Sequence, residues 1–397
     1  MLTRRQIVVG GVTVGAALAL PRTARASSAT RRDDSPQSER VLVVVQLTGG
    51  NDGLNTVVPL RQDAYHRLRP TLAVGPRKAL ALDGEFGLNP AMPAAARLFA
   101  DGKLAVVHGV GFPGPSRSHF RSMEVWHTAD PDKPPGDVGW LGRLADQLAQ
   151  RDPAAMPLLH IGSGPLPLSA RAQRAVPPSF ESEHSFRLTA PHPQFPSNWR
   201  ALADLPRDGD RAFVRDTARA AQSAVERLSL LASKPERAEY PSFELAARLR
   251  LVARLVAGGF GTRLFALELG NFDTHARQAR THEDLLRQLS ESLAAFEKDL
   301  AAHGWSERVT TLVFSEFGRR TAENASLGTD HGAGGPVLLV GGGVRGGLHG
   351  TPPDLEHLVD GDVPHTVDLR ALYAGLETHW LGLSPSSALA PLEIVRA

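Results

Sequence analysis

Acidic and imidazole side chains lie beside apolar runs at several turns of the sequence, where they could act together. They are Asp52, Asp273, His275, Glu316, Asp330 and His331. Carboxylate oxygen and imidazole nitrogen are common ligands of divalent metal ions in proteins. Each residue alone also fits an ordinary turn or a surface ion pair, but random surface polarity would not favour these positions so consistently. The sequence therefore predicts a metal site with mixed oxygen and nitrogen ligands.

A second candidate site is the segment Ser116–Arg117–Ser118–His119, which follows an apolar run at 104–110. A serine hydroxyl is a poor nucleophile near neutral pH until a base or a metal ion helps to ionise it. The adjacent arginine and histidine make either serine a candidate. The alternative is a helix that begins here with one serine as its N-cap, and both interpretations can hold because a helix N-terminus favours an ionised hydroxyl.

Two arginines, Arg319 and Arg320, follow Glu316 closely. A guanidinium group matches the oxygen geometry of phosphate or sulfate and can bind two oxygens at once. The pair is therefore a candidate for holding an anionic substrate, and an ion pair with Glu316 is the other interpretation.

Short apolar, β-branched runs bounded by turn residues predict the strands that must position these groups. They cover residues 41–47, 104–110, 158–161, 264–269, 309–314 and 337–340. Apolar residues at helical spacing predict helices at about 212–232, 243–257, 285–300 and 368–383. Alternating strands and helices indicate an α/β fold, a three-layer sandwich around a mostly parallel central sheet. In such sheets, ligands bind at the carboxyl ends of the strands.

Residues 1–26 have the three parts of a signal peptide. The twin arginines Arg4 and Arg5 precede an uncharged apolar run at 8–20, and residues 24–26 supply a cleavage site of the A-x-A type. The paired arginines favour the Tat export route, and the apolar run is too short to span a bilayer core of about 30 Å. A permanent N-terminal anchor is the alternative. We expect a periplasmic or secreted protein whose partner during export is the Tat translocase.

The remainder of the chain is expected to form one domain behind a linker. Residues 27–39 are small, polar and charged, which is typical of a flexible linker. Residues 40–397 are expected to form a single α/β domain. Two stretches rich in proline, glycine, serine and histidine, 111–137 and 162–210, are expected to be long loops over the site.

Charge and cysteine content argue against several classes of function. The chain has 44 basic and 42 acidic residues, and the predicted leader holds four of the basic residues and none of the acidic ones. The remainder is slightly acidic and has no dense basic patch, which argues against nucleic-acid binding. The absence of cysteine excludes disulfides, thiolate metal sites and cysteine nucleophiles. No second long apolar segment is present, so no stable membrane span is expected.

Several motifs together resemble the DUF1501 family of Tat-exported bacterial proteins, over about residues 41–385. The matching segments are QLTGGNDGLNTVVP, SRSHF, GNFDTH, FSEFGR, GTDHG and DLRALYAGLETHWLG. By resemblance the family belongs to the alkaline-phosphatase-like superfamily. The resemblance implies an alkaline-phosphatase-like fold with two divalent metal ions at strand ends. It also implies a serine or threonine hydroxyl that attacks phosphorus or sulfur.

Roles for individual residues follow from this resemblance. Ser118 is similar to the nucleophile, with Ser116 as the alternative, and Asp52 is similar to the acid after the first strand. Asp273 and His275 resemble a ligand pair of the superfamily, although they are two positions closer together in this chain.

The remaining ligand positions are matched less completely. His331 resembles the final histidine ligand and has Asp330 beside it. Glu316 stands where the superfamily often has Asp-His, and Phe317 replaces that imidazole. This departure favours one metal ion, or a harder ion such as Mn or Ca, over the full two-metal site. Formylglycine chemistry is not expected, because the segment around Ser116 does not fit the sulfatase pattern.

We therefore expect an exported, metal-dependent hydrolase of phosphate-type esters, acting on a small or envelope-derived anionic substrate. The expected catalytic residues are Ser118, Ser116, His119 and Arg319. Arg319 or Arg117 would hold the anionic group, and the ion would be Zn, Mn, Mg or Ca. The alternative is a non-catalytic exported protein that binds metal or an envelope partner on the same fold. The missing imidazole at Phe317 favours that alternative.

Overall fold

The computed structural model describes residues 7–9, 12–14, 39–132, 136–152, 156–181, 204, 215 and 237–396. Near the N-terminus, β1 (Ile7–Val9) pairs antiparallel with β2 (Val12–Val14). The predicted signal peptide, the linker and the helix at 212–232 otherwise lie outside the described residues and stay predictions. Within the described part of the chain, no helix has both the length and the apolar character needed to cross a bilayer.

The described strands include all six that the sequence predicts. After β2 they are β3 (Val41–Leu47), β4 (Val57–Pro59), β5 (Leu80–Ala81), β6 (Phe86–Leu88), β7 (Leu104–Gly111), β8 (Leu158–Ile161), β9 (Ser179–Phe180), β10 (Leu264–Leu269), β11 (Val309–Ser315), β12 (Gly335–Val340), β13 (Gly347–His349) and β14 (Val367–Asp368). Three of them, β4, β6 and β5, form a small antiparallel sheet.

Three of the four predicted helices are also confirmed, at 243–257, 285–300 and 368–383. The described helices are α1 (Gly53–Thr56), α2 (Asp63–Leu68), α3 (Pro93–Ala100), α4 (His119–Thr128), α5 (Trp140–Arg151), α6 (Glu244–Ala257), α7 (Gln278–Ala302) and α8 (Leu369–Gly375). Asp368 caps α8 by accepting a hydrogen bond from the Arg370 amide, and a π-helical turn, Leu376–Trp380, continues it.

A nine-stranded sheet forms the centre of the fold. Its spatial order is β13-β7-β12-β11-β3-β10-β8-β9, and β14 also pairs with β7. All neighbouring strands are parallel except β12, which runs antiparallel to both β11 and β7. The prediction of a mostly parallel sheet is therefore confirmed.

The sheet is covered by helices on both faces, because its central strands are apolar on both sides. In β3, every residue is buried. Val41, Val43 and Val45 pack into a cluster with α3, α6 and α7. Leu42 and Val44 point the other way and pack with α4, α5 and α8. Successive side chains of a strand point to opposite faces, so one continuous apolar run builds both halves of the predicted three-layer sandwich.

The reversed direction of β12 decides where its preceding loop lies. Val313 of β11 pairs with Leu338 of β12, and Thr311 pairs with Val340. The start of β12 therefore lies at the same sheet edge as the ends of β3, β10 and β11. A residue before β12 can meet residues that follow the other three strands.

The prediction of a long loop over 111–137 is only partly right, because α4 occupies His119–Thr128. Val125 and Trp126 are buried on its inner face, and Ala129 ends the helix in the left-handed region at φ 56°. Of the second predicted loop, 162–181 is described; it holds a short 3₁₀ turn, Leu168–Ala170, and β9. Most of the rest of that stretch lies outside the described residues.

Candidate metal centre

The turn after β3 packs closely against the other segments at this sheet edge. Gly49 and Gly50 have φ values of 117° and 80°, a region that glycine adopts readily. A Cβ atom on Gly49 would lie 2.4 Å from the Asp273 amide nitrogen, and one on Gly50 would lie 2.2 Å from the Phe317 ring. The two glycines therefore let the turn approach the segments after β10 and β11.

The side chains of His119, Asp273, His275 and His331 converge on one point at this edge. Asp273 Oδ1 lies 3.0 Å from His275 Nε2, 3.1 Å from His331 Nε2 and 3.6 Å from His119 Nε2. The Nε2 atoms of His275 and His331 are 2.9 Å apart. Ligand atoms of His119, Asp273 and His331 all lie within 4.8 Å of one another, so this group could hold a metal ion.

Two of these imidazoles have a hydrogen-bond acceptor at their other nitrogen. His119 Nδ1 lies 2.9 Å from Glu316 Oε1, and His331 Nδ1 lies 2.8 Å from the carbonyl oxygen of Arg117. A carboxylate or a carbonyl oxygen only accepts. Each neutral ring therefore carries its proton on Nδ1 and turns the lone pair of Nε2 toward Asp273.

The third imidazole is held in the same way. His275 Nδ1 lies 3.2 Å from Asp330 Oδ1, and Asn324 Nδ2 donates to that same oxygen at 3.0 Å. Three Nε2 lone pairs thus point toward the Asp273 carboxylate, an arrangement that a nearby cation would stabilise. Metal-bound histidines commonly donate their second N–H to a carboxylate or a backbone carbonyl.

The contacts of Asp273 Oδ1 with the imidazole nitrogens are close to the ligand spacing around a small tetrahedral ion. Metal–nitrogen bonds of about 2.0–2.1 Å at tetrahedral angles place ligand atoms about 3.3 Å apart. The measured contacts of Asp273 Oδ1 with the three imidazoles, 3.0 to 3.6 Å, bracket that value. Imidazole nitrogens combined with a carboxylate oxygen are a donor set typical of zinc rather than of Mg or Ca.

Glu316 and Asp330 lie behind the imidazoles rather than beside Asp273. Glu316 is buried, and its Oε1 also accepts from the Gly49 amide at 2.8 Å. The ring centroid of Phe317 lies 4.9 Å from that of His119 and 4.7 Å from that of His331. An apolar ring thus occupies the position of the expected imidazole, and this geometry fits a single ion.

The structure does not bring Asp52 into the cluster, contrary to the prediction that it is a ligand. Both oxygens of its fully buried carboxylate bind Arg69 Nη1, at 2.8 and 2.6 Å. Gln278 Nε2 also donates to this carboxylate. Asp52 Oδ1 accepts from the Asn55 amide and caps α1. Asp52 therefore stabilises the turn after β3 through a buried ion pair.

Arg319 is not available to hold a substrate, contrary to the prediction. Its side chain is fully buried, and its guanidinium donates to the carbonyl oxygens of Gly49, Gly50, Phe272 and Thr329. It also donates to Asp273 Oδ1 at 2.7 Å. Arg319 thus fixes the turns that carry the cluster and orients its carboxylate.

The electrostatics of Asp273 follow from these contacts. Partial burial alone would raise the pKa of Asp273, but the hydrogen bond and positive charge of Arg319, with the contacts of His331 and His275, outweigh it and lower the pKa to about 2. The carboxylate therefore stays ionised, and ready to bind a cation, throughout the neutral range.

The two candidate nucleophiles differ in their surroundings. Ser116 Oγ accepts from the Ser118 amide at 3.1 Å, so it is engaged in a local turn. Ser118 is the N-cap residue of α4, is exposed, and makes no side-chain cap hydrogen bond to the helix. Its hydroxyl is therefore the freer of the two, and it immediately precedes His119 in the chain.

His119 was predicted as a catalytic partner of a serine, but the structure brings its ring to Asp273. The sequence does contain a signal for this placement, because α4 follows β7 at the same sheet edge as the other motifs. The buried partners Arg69 and Gln278 carry no comparable signal in the sequence.

The fold is a mixed α/β sandwich with a possible His/Asp metal site at one sheet edge. The chain belongs to the family described as "Protein of unknown function (DUF1501)", which matches residues 39–386. No curated protein matches the sequence.

Several solved structures are similar at low identity. The zinc complex of the C-terminal periplasmic domain of EptC from Escherichia coli is 11% identical with a TM-score of 0.37, over 76% of this chain and 72% of that chain. Lipoteichoic acid synthase LtaP from Listeria monocytogenes is 9% identical with a TM-score of 0.36, over 88% and 74%. An alkaline phosphatase superfamily protein from Vibrio parahaemolyticus is 8% identical with a TM-score of 0.35, over 78% and 62%. At these scores the likeness assigns no activity to this chain.

Proposed function

We propose that this protein is a metal-dependent hydrolase or transferase of phosphate-type esters. The proposed ion site consists of His119, Asp273 and His331, and His275 lies beside the last two. One observation carries the proposal: three imidazoles, each with its Nδ1 held by an acceptor, turn their Nε2 atoms toward one carboxylate oxygen. Of the ions expected from the sequence, zinc suits this donor set best.

The protein's own residues would divide the remaining tasks. A bound divalent ion would supply Lewis acidity toward the ester oxygens and favour ionisation of a nearby hydroxyl. The Ser118 oxygen would attack phosphorus and break its bond to the ester oxygen, so that the substrate's alcohol leaves with a proton. Water or another alcohol would then attack the phosphoserine and release the free serine hydroxyl. Arg319 would keep Asp273 oriented, and Arg117 would hold His331 through its carbonyl oxygen.

Export belongs to the same proposal. The twin-arginine leader would deliver the protein through the Tat translocase to the periplasm, where the substrate would be a small or envelope-derived anion. A reporter fused behind residues 1–26 should leave the cytoplasm, and replacement of Arg4 and Arg5 by lysine should retain it there.

The central test measures metal and turnover together. Protein purified without an affinity tag or chelator should contain about one divalent ion per chain and should hydrolyse a generic phosphoester. Ser118→Ala should keep the ion and lose activity by roughly a hundredfold or more, because the covalent route is closed. Ser116→Ala is the matched control and should retain most of the activity.

Two outcomes would overturn parts of this proposal. Equal activity of Ser118→Ala and the wild type would reject serine as the nucleophile. A bound ion with no turnover on phosphodiesters, phosphomonoesters or sulfate esters would favour the alternative, an exported protein that only binds metal or an envelope partner.

Glu316 should matter for metal affinity without being a ligand. Glu316→Ala removes the acceptor of His119 Nδ1, so zinc affinity should fall about 10- to 100-fold. Glu316→Gln keeps an acceptor oxygen, so its zinc affinity should fall less. Glu377→Gln is the control, because Glu377 is equally buried but binds Ser386. Competition with a chromophoric chelator measures the affinities, and an unchanged affinity in Glu316→Ala would contradict the positioning role.

A further inference from the structure

A cavity of about 560 Å³ lies directly beside the candidate metal centre. Its lining includes Arg117, whose carbonyl oxygen binds His331 Nδ1, and Gly332, the residue after His331. The cavity and the ion site therefore share a wall. Its volume falls within the range of about 300–1,000 Å³ that is usual for small-molecule sites.

The charged groups around this cavity cancel one another. Arg117 donates to Asp362 Oδ2 from Nε at 3.0 Å and from Nη2 at 2.7 Å. Arg320 lies 3.9 Å from Asp362 Oδ1 and donates to the Asp360 carbonyl oxygen at 2.8 Å. Arg320 lies behind the lining, and the lining itself holds Arg117, Asp360, Asp362 and the imidazole of His365. The two guanidinium groups balance the two carboxylates, so these four groups give the cavity little net preference for a charged ligand.

The rest of the lining is largely apolar. It includes Pro115, Ala333, Val359 and Pro364. Val359 is 59% exposed, and it is one of a few large apolar side chains that are exposed on the described surface. An apolar group that entered the cavity would remove this surface from water, which is favourable.

We infer that this cavity holds an uncharged, largely apolar substituent of a monoanionic, phosphodiester-type substrate whose phosphorus lies at the ion site. The inference rests on the proposed function and deepens it. A phosphate monoester has no second substituent to fill the cavity. A diester has two, so one can leave from the reacting centre while the other occupies the cavity.

The charges around the ion site point the same way. Asp273, Glu316 and Asp330 surround the three imidazoles, and Arg319 supplies the cation that contacts Asp273. One divalent ion would bring these groups close to neutrality. A dianionic monoester would then meet little excess positive charge, whereas a diester carries a single negative charge.

Binding of two inert phosphinates tests the inference without turnover. Diphenylphosphinate and dimethylphosphinate are both monoanions with phosphorus–carbon bonds that this chemistry does not break. Calorimetric titration of the zinc-loaded full chain should give an affinity for the diphenyl compound that is higher by about tenfold or more. The reason is that a phenyl ring moves from water into the cavity when this compound binds. Equal affinities would overturn the inference.

Two variants locate the preference. Ala333→Phe fills the cavity and should abolish the preference for the diphenyl compound while dimethylphosphinate still binds. Val359→Glu, at an exposed position where folding is tolerant, should weaken binding of the diphenyl compound more than that of the dimethyl compound, because a hydrated carboxylate replaces apolar lining that the phenyl ring would contact. Leu389→Glu, at an exposed apolar residue outside the cavity lining, is the control and should change neither affinity.

The outcomes separate this inference from the proposed function. If both phosphinates bind equally and phosphoesters are hydrolysed, only the cavity assignment is wrong. If neither phosphinate binds the zinc-loaded protein, both proposals are wrong. A preference for the diphenyl compound that persists in both cavity variants also overturns the assignment.

Discussion

Replacement of Asp273 by asparagine is expected to lower zinc affinity by at least about a hundredfold. Loss of an outer partner of a metal ligand already costs about 10- to 100-fold. Within the part of the chain that the structure describes, Asp273 is the only carboxylate in direct contact with the three converging Nε2 atoms. Asparagine keeps the size of the side chain, and Arg319 keeps its four backbone acceptors. The fold should therefore survive while the ion is lost.

A control at equal exposure makes this result interpretable. Asp284 lies on α7, its side chain is 49% exposed against 47% for Asp273, and it also pairs with an arginine. Asp284→Asn should bind zinc like the wild type. Dialysis against a defined free-zinc concentration followed by elemental analysis gives the stoichiometry. Zinc should also raise the unfolding temperature of the wild type and of Asp284→Asn but not that of Asp273→Asn. Full zinc occupancy in Asp273→Asn would refute the assignment.

The architecture was predictable because the local amino-acid composition indicates which segments form strands. The run at 41–47 is apolar at every position except Gln46 and β-branched at most, and it forms β3 with the predicted bounds. The direction of β12 was not predictable, because an apolar run has the same pattern in either direction. That direction depends on how the loop after β11 returns, which is a property of the whole fold.

The cluster was predictable only in part, for a related reason. Asp273, His275 and His331 lie in turns beside predicted strands, and a common sheet edge brings such turns together. Asp52 has the same local signature, yet its carboxylate is turned into the protein by Arg69. Local sequence places a residue at an edge but does not say which way its side chain points. That direction is set by a partner seventeen positions away in the chain.

The same limit explains the roles of His119 and Arg319. Each was expected to act on substrate because of its neighbours in sequence. Arg319 instead meets the carbonyl oxygens of two other turns, and His119 meets Glu316 from a different strand. Long polar side chains find partners by tertiary proximity, and these partners are the part of a site that single-sequence patterns miss.

Arg69→Met is expected to destabilise the fold by about 3–5 kcal/mol, because it leaves a buried carboxylate without its cation. Arg69 and Asp52 are both fully buried, and Arg69 also donates to Thr321 and Arg320 carbonyl oxygens at 2.7 and 2.8 Å. In the wild type, burial acts to raise the pKa of Asp52, but Arg69, His282 and Gln278 outweigh it and lower the pKa. Without Arg69 the burial effect should win, and the pKa should rise.

Because the shift of the Asp52 pKa changes from lowered to raised, the loss of stability in Arg69→Met should depend on pH. A carboxyl group whose folded-state pKa is lowered stabilises the fold above its unfolded pKa, and that stability is lost as pH falls through the folded pKa. A group whose folded-state pKa is raised behaves in the opposite way, because protonation then favours the folded state. The difference in unfolding free energy between wild type and Arg69→Met should therefore narrow as pH falls from about 7 to about 5.

Urea unfolding of the metal-free chains measures this difference, and two further variants interpret it. Arg67→Met breaks an exposed pair with Glu356, whose side chains are 61% and 64% exposed, and should cost no more than about 1 kcal/mol. The double variant Asp52→Asn/Arg69→Met removes both charges and should be less destabilised than the sum of the single changes, since the isolated charge is then absent. The role of the buried pair would be refuted if Arg69→Met lost no more unfolding free energy than Arg67→Met. It would also be refuted if the loss in the double variant equalled the sum of the losses in the two single variants.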